Sequence, residues 1–278
     1  MGFLSMRFPG GKAKALTLSY DDAVQQDVRL MTILNKYGLK CTFNINTGLF
    51  AEEGHEYPKG QIHRRMSEKE AVSLYKDSGH EVAIHALTHP FLEQLPANLV
   101  IKEIVEDRKN IERLFGKITR GMAYPFGTFN DEVVNILKSC GIAYARTVHS
   151  TESFQIPTDW LRLPATCHHN NPKLPELTDK FINDKPFGSP WLFYLWGHSY
   201  EFEADNNWEL IEDFAEKIGG RDDIWYATNI EIYDYIQAYN QLIFSMDESM
   251  VYNPSAFVIY FVYNRQMYTI QPGETLML

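Results

Sequence analysis

Short apolar runs alternate with amphipathic helical patterns along most of this chain, and that alternation restricts the fold more than any other feature. Lys14 to Ser19 reads as a strand; Val28, Met31, Leu34 and Tyr37 then recur at helical spacing until Gly38 stops them. A strand at Cys41 to Ile45 follows. Ser67-Glu68-Lys69-Glu70 has the form of a capping box, opening a helix that ends at Gly79. The pattern continues with strand Glu81 to His85, a helix from Asn98 to Phe115 closed by Gly116, strand Thr119 to Tyr124, helix Asp131 to Ser139 and strand Ile142 to Val148. Further strands are expected at Trp160 to Thr166, Trp191 to Gly197 and Ile224 to Ala227. Helices are expected near Leu177, over Trp208 to Ile218 and over Glu231 to Leu242. About seven or eight β–α units in roughly 240 residues predict a parallel sheet closed into a barrel rather than an open one.

After Leu242 the pattern changes. Ser245 to Glu248, Val251 to Pro254, Phe257 to Tyr263 and Gln266 to Ile270 read as short strands between turn residues. The division expected is a barrel over 1–242 and a small β appendage over 243–278, too short for an ordinary independent domain and packed on the barrel as structural cover.

Thirty-six acidic against 26 basic residues give a net charge of −10, which argues against nucleic acid or an anionic membrane as the main partner. No apolar run approaches the ~20 residues of a membrane span, and the first twenty residues carry no signal-peptide pattern. If Met1 is the native start, the cytoplasm is the expected compartment; a chain trimmed of a leader would be extracellular. Cys41, Cys140 and Cys167 are too few and too scattered for a disulfide framework and read as spectator thiols. Nothing in the sequence fixes the oligomeric state.

Polar residues suited to chemistry recur just past the C-terminal ends of the expected strands, the rim on which parallel barrels build active sites. Asp21 and Asp22 follow the first strand, His85 and His89 the third, Tyr124 to Gly127 the fourth; Arg146 closes the fifth and His198 follows Trp191 to Gly197. His85 and His89 stand four residues apart, one helical turn, so both can face one ion. With the aspartate pair they supply two imidazoles and one carboxylate for a divalent transition metal, and a second carboxylate able to take a proton from bound water. Taken singly, an H-x-x-x-H pair or an acidic pair is equally compatible with structural roles.

These residues carry a family resemblance. Leu18-Ser19-Tyr20-Asp21-Asp22 resembles the T-F-D-D motif of the polysaccharide deacetylases with a NodB-homology domain, carbohydrate esterase family 4. His85 to His89 resembles its H-[ST]-x-x-H motif, and Ala123-Tyr124-Pro125-Phe126-Gly127 its R-x-P-Y motif. The resemblance spans roughly residues 14 to 240. It implies a distorted, TIM-like (β/α) barrel that removes acetyl groups from N-acetylated, sometimes O-acetylated, sugars. It also implies that Asp22, His85 and His89 ligate a divalent metal, zinc first, with cobalt or nickel as options. Asp21 would be the general base, His198 the general acid, and the Phe126 backbone N–H an oxyanion donor. Tyr124 and Trp196 are expected to contact the acetylated carbohydrate.

The departures are specific. Ala86 stands where the family has Ser or Thr. Ala123 stands where it has the arginine that orients the base, and Arg146 is the preferred substitute, ahead of Arg120 and Arg162. Asp159-Trp160 matches the family's D-W pair but precedes a strand. His198 fits the last motif only with Gly197 inserted. His168 and His169 read as a polar loop that could also offer a ligand or a sugar contact, His55 and His63 read as loop surface, and Trp191 as core, while Tyr200 could join Trp196 along a groove. Two further readings stand beside the N-deacetylase: an O-acetyl esterase, and a sugar-binding protein on a decayed enzyme scaffold.

Overall fold

The computed structural model describes residues 3–278; residues 1 and 2 of the expected barrel unit lie outside the described residues. After a short strand β1 (Leu4–Arg7) comes β2 (Lys14–Asp21), buried at every position, as a parallel strand covered on both faces must be. Helix α1 (Asp27–Lys36) returns to β3 (Cys41–Ile45). The Ser67 hydroxyl accepts the Glu70 N–H, and the Glu70 carboxylate accepts the Ser67 N–H, so the capping box opens α2 (Glu68–Tyr75). There follow β4 (Glu81–Ile84), α3 (Ala97–Phe115), β5 (Gly121–Ala123), α4 (Asp131–Ser139) and β6 (Tyr144–Ser150). Next come β7 (Leu163–Ala165), β8 (Cys167–His168), α5 (Leu174–Asn183), β9 (Trp191–Gly197), α6 (Ser199–Ala204), α7 (Trp208–Ile218), β10 (Ile224–Tyr226) and α8 (Asn229–Asn240).

The strands pair in the order β7-β6-β5-β4-β3-β2-β9-β8, all parallel. β7 and β8 are two halves of one run broken at Thr166, whose N–H donates to the Tyr194 carbonyl. That single run links β6 to β9 and closes the circuit. The closure is uneven: β10 pairs with the first half of β2 and β3 with its second half. This is the distorted (β/α) barrel expected. Leu16, Leu18, Phe43, Ile45, Met122 and Phe193 pack between the strands and the surrounding helices, at about 1.5–3 kcal/mol for each fully buried side chain.

The tail holds β11 (Ile243–Phe244), β12 (Met250–Tyr252), β13 (Ile259–Tyr263), β14 (Gln266–Ile270) and β15 (Thr275–Met277). They form two antiparallel sheets, β11-β12-β15 and β1-β13-β14, the second taking its edge from the start of the chain. Met6, Phe8, Ile232, Tyr235, Ile236, Phe261 and Ile270 pack in one cluster, so the chain's two ends share a core against α8. Two expected strands are otherwise. Ser245 to Glu248 is a turn, because the Asp247 carboxylate accepts the Ser245 and Ser249 hydroxyls and the Ser249 N–H, satisfying locally what a ladder would have used. Trp160 to Arg162 is a 3₁₀ turn, with Asp159 accepting the Leu161 N–H, and the strand starts only at Leu163. Among the described residues no helix is long and apolar enough to cross a membrane.

At the end of the barrel opposite the rim, Glu81 is half-buried and accepts the Thr42 and Tyr144 hydroxyls and the Ile230 N–H; desolvation of its carboxyl pushes the pKa up to about 7. Gly121 lies against this network: a Cβ there would meet the Tyr144 hydroxyl at 2.1 Å. Gly121→Ala should therefore lower unfolding free energy by about 1–3 kcal/mol through overpacking, read from the urea midpoint. An unchanged midpoint would show that this end of the barrel is not closely packed.

Candidate active site

β2 ends at Asp21, and strand alternation would turn the next side chain away. Asp22 instead takes φ 90°, with its N–H on the Asn44 carbonyl, and the reversal brings both carboxylates to one place. His85 Nε2 lies 3.8 Å from Asp21 Oδ2 and 4.0 Å from Asp22 Oδ1. His85 Nδ1 bonds the Ala123 carbonyl at 2.8 Å, which fixes the ring and leaves Nε2 for the site. His85 to His89 form no helical turn. Ala86 and His89 both adopt left-handed φ (61° and 55°), and that irregular loop brings the two rings to 4.7 Å. Asn46 Nδ2 donates to the His85 and Ala86 carbonyls, bracing the loop without the hydroxyl absent at Ala86.

Ligand atoms of Asp22, His85 and His89 lie within 4.8 Å of one another. Burial opposes ionisation of Asp22, but His63 Nε2 at 3.2 Å and Arg65 Nη2 at 3.0 Å hold it well below the usual carboxylate range. Burial lowers His85, and burial with neighbouring His85 brings His89 to about 4. An ionised carboxylate and two neutral imidazoles are the protonation states a divalent ion needs, so these residues fit a metal.

Asp21 is held differently. Arg146, from β6, is 1% exposed and pairs with Asp21 Oδ2, while its Nε reaches Ser19 Oγ at 3.2 Å and its guanidinium lies 4.3 Å from the Trp196 ring centre. Asn44 Nδ2 donates to Asp21 Oδ1 at 2.8 Å. Burial would raise the Asp21 pKa; Arg146, His85 and His198 outweigh it and lower it. Arg120 and Arg162 are engaged elsewhere, with Asp234 and with Asp131 and Asp159.

His198 Nε2 lies 3.8 Å from Asp21 Oδ2, and its Nδ1 lies 3.1 Å from Glu201 Oε1. Burial lowers the His198 pKa, yet Glu201, Asp21 and Asp22 carry it above the ordinary value. Gly197, the inserted residue, has a packing cause: a Cβ would meet the His169 ring at 2.0 Å. Asp159 is not the partner of His198, since it caps the 3₁₀ turn and pairs with Arg162.

Two expected sugar contacts are placed otherwise. Tyr124 is buried, its hydroxyl on the Leu161 carbonyl and its ring against Phe129. Trp196 is 7% exposed and is committed to Arg146. Phe126 is the residue of that loop that faces solvent, at φ 57°, stacked on Phe91 and edge-on to His89. His63 is not bare loop surface, since it reaches Asp22 and packs on Tyr200. Glu201, Asn44 and Arg65 escaped the sequence analysis, which named His63 only as loop surface; of the three, only Glu201, three residues after His198 in a first helical turn, left a local signal.

Residues 9–145 match the profile of the polysaccharide deacetylase family. A poly-β-1,6-N-acetyl-D-glucosamine N-deacetylase of Staphylococcus aureus is 26% identical over 115 residues, 40% of each chain. A chitooligosaccharide deacetylase of Sinorhizobium fredii is 26% identical over 156 residues, 55% of this chain and 63% of that protein. The alignments thus span less than two thirds of either relative. A crystal structure described as a polysaccharide deacetylase from Mycobacterium smegmatis superposes with a TM-score of 0.60 at 17% identity, over 84% of this chain and 93% of that one, a likeness of fold.

Below the rim, Asp27 is buried and accepts the Ser199 and Tyr75 hydroxyls, tethering the segment after His198; burial raises its pKa to about 7. A carboxyl whose folded pKa exceeds its unfolded value favours the fold fully below about pH 4 and loses that contribution as pH rises through 7. Asp27→Asn should therefore flatten the decline in stability between about pH 4 and 7, measured by urea unfolding. A variant with the parent's slope would show that Asp27 is ionised throughout.

Proposed function

The chain belongs to the polysaccharide deacetylase family, and on that premise we propose that it removes acetyl groups from N-acetylated sugars of a poly- or oligosaccharide with a divalent transition metal. The observation that carries this reading is the convergence of Asp22, His85 and His89 beside a second carboxylate, Asp21, held by its own arginine. Residues 9–145 contain the aspartate pair, the histidine pair and the Tyr124 to Gly127 turn, whereas Arg146 and His198 lie beyond the matched segment. Asp22, His85 and His89 would hold the ion, zinc first and cobalt or nickel as options by donor type. An ion bound there supplies Lewis-acid polarisation of the acetyl carbonyl and an acidified water, whose pKa falls from 15.7 to about 7 with zinc.

The chain's own residues supply the rest. Asp21 accepts a proton from the attacking water; Arg146 and Asn44 each fix one of its oxygens, which keeps the acceptor ionised and aimed although Arg146 also reduces its basicity. The Phe126 N–H is assigned to the developing oxyanion, a donor whose removal in such sites costs about 3 kcal/mol of barrier. His198, its pKa raised, is the proton donor to the departing sugar nitrogen, with Glu201 orienting the ring through Nδ1. Phe126, Phe91 and Tyr200 are the aromatic surface offered to the sugar.

Two variants separate the roles. Asp22→Ala should lose both zinc binding and acetate release from a chitooligosaccharide. Asp21→Asn should bind zinc as the parent does and lose at least about 100-fold in kcat. Calorimetric zinc titration and an acetate assay read the two, and acetylated xylan run alongside separates ester from amide substrates. Parent-rate turnover by Asp21→Asn would remove the base assignment. Acetate release by an Asp22→Ala protein that binds no zinc would remove the metal.

A further inference from the structure

Behind His198, on the side away from Asp21, a second group of donors converges. Glu201 Oε1 lies 3.1 Å from His198 Nδ1, and Glu201 Oε2 lies 3.2 Å from His168 Nε2 and 3.0 Å from His169 Nε2. Neither His168 nor His169 is aligned to hydrogen-bond Oε2. That oxygen and both ring nitrogens of the fully buried His169 are left without a hydrogen-bond partner. Buried polar atoms gathered this closely and left unsatisfied need an explanation.

We propose that His168, His198 and Glu201 form a second transition-metal site, in which an ion bound to His198 Nδ1 silences its opposite nitrogen. One ligand atom from each of the three lies within 4.8 Å of the others. Glu201 turns Oε1 to His198 Nδ1 at 3.1 Å and Oε2 to His168 Nε2 at 3.2 Å, each near the spacing of about 3.3 Å between neighbouring donors on a tetrahedral zinc, so either oxygen can serve an ion placed between the two rings. Two imidazoles and a carboxylate are a borderline donor set that takes zinc and its neighbours, with a fourth position open to water. The three side chains are each about one-fifth exposed, so an ion can enter from solvent, whereas Asp22 and His85 of the first site are buried. The cradle is stiff: His168 meets the Trp196 ring edge-on at 4.5 Å, and His169 is clamped between Tyr20 and Phe202.

The two sites share no ligand. An ion on Nδ1 takes the lone pair that a proton would occupy in the imidazolium form. His198 then cannot hold the second proton it needs to pass one to the leaving amine. Filling this site therefore stops turnover while the first site stays loaded. The inhibition rests on the deacetylase reading; the binding does not.

Zinc titration of the full chain, followed by native mass spectrometry and calorimetry, tests this with His168→Gln and Asp22→Ala; His168→Asn serves as a second variant should His168→Gln fail to fold. The parent should take two zinc ions, and each variant one. With a chitooligosaccharide, zinc in excess of one equivalent should slow the parent at least about 10-fold. His168→Gln should keep the basal rate and need at least about 10-fold more zinc for the same inhibition. A parent that binds one ion, or two that both survive His168→Gln, overturns the proposal. A second ion lost in His168→Gln but kept in Asp22→Ala, in a parent that hydrolyses no acetylated sugar, upholds the site while removing the deacetylase reading.

Discussion

Two ionised carboxylates on adjacent residues, nearly buried at the mouth of a barrel, are the constraint that the rest of the site answers to. Desolvation and mutual repulsion both work against them. The chain answers with separate cations from separate elements: Arg146 on β6 takes Asp21, and Arg65, from the segment before α2, takes Asp22 together with His63. Each oxygen of Asp21 is bound, and the guanidinium of Arg146 is itself partnered by Ser19, the Thr147 carbonyl and the face of Trp196. Removing one member of a buried pair costs about 3–5 kcal/mol, because the other is stranded. The pairing also divides labour. Arg146 locks Asp21 onto the barrel wall, while Asp22 lies at the histidine pair.

Backbone strain is present where the function is proposed. Asp22, Ala86, His89 and Phe126 all hold left-handed φ without being glycine, and all stand at the candidate centre or its edge. Such conformations persist when the surroundings over-determine them. Here the determinants are visible: Asn44 holds the Asp22 N–H, Asn46 the carbonyls of His85 and Ala86, and the Phe91 stack the ring of Phe126. The barrel beneath, with β2 buried throughout, supplies the stability against which these turns are held.

Features encoded within a few residues were legible in the sequence. β3, α4, α7, β9 and β14 fall on the residues expected, because each carries its own period, cap or glycine stop. Arg146 as the cation beside Asp21 was legible too, since strand order places it on the same rim. What escaped depends on partners far along the chain. β1 exists only by pairing with β13, more than 250 residues later, and no local pattern announces it. Asn44, His63 and Arg65 matter through what they touch, and polar residues on a strand or loop do not declare their targets. Tyr124 and Trp196 are buried, which the sequence did not announce because an aromatic beside a motif residue reads alike whether it faces the groove or the core. His85 and His89 illustrate the opposite error: a spacing that suggests a helical turn is met by two left-handed residues in a loop.

The account stands on one centre formed by Asp22, His85 and His89. An anomalous-scattering crystal structure at the zinc edge, on protein carrying one equivalent, tests it directly. The expected result is one peak about 2.0–2.2 Å from a carboxylate oxygen of Asp22 and one nitrogen each of His85 and His89, with Asp21 still paired to Arg146. A peak elsewhere, or one that draws Asp21 away from Arg146 into the ligand set, would contradict it.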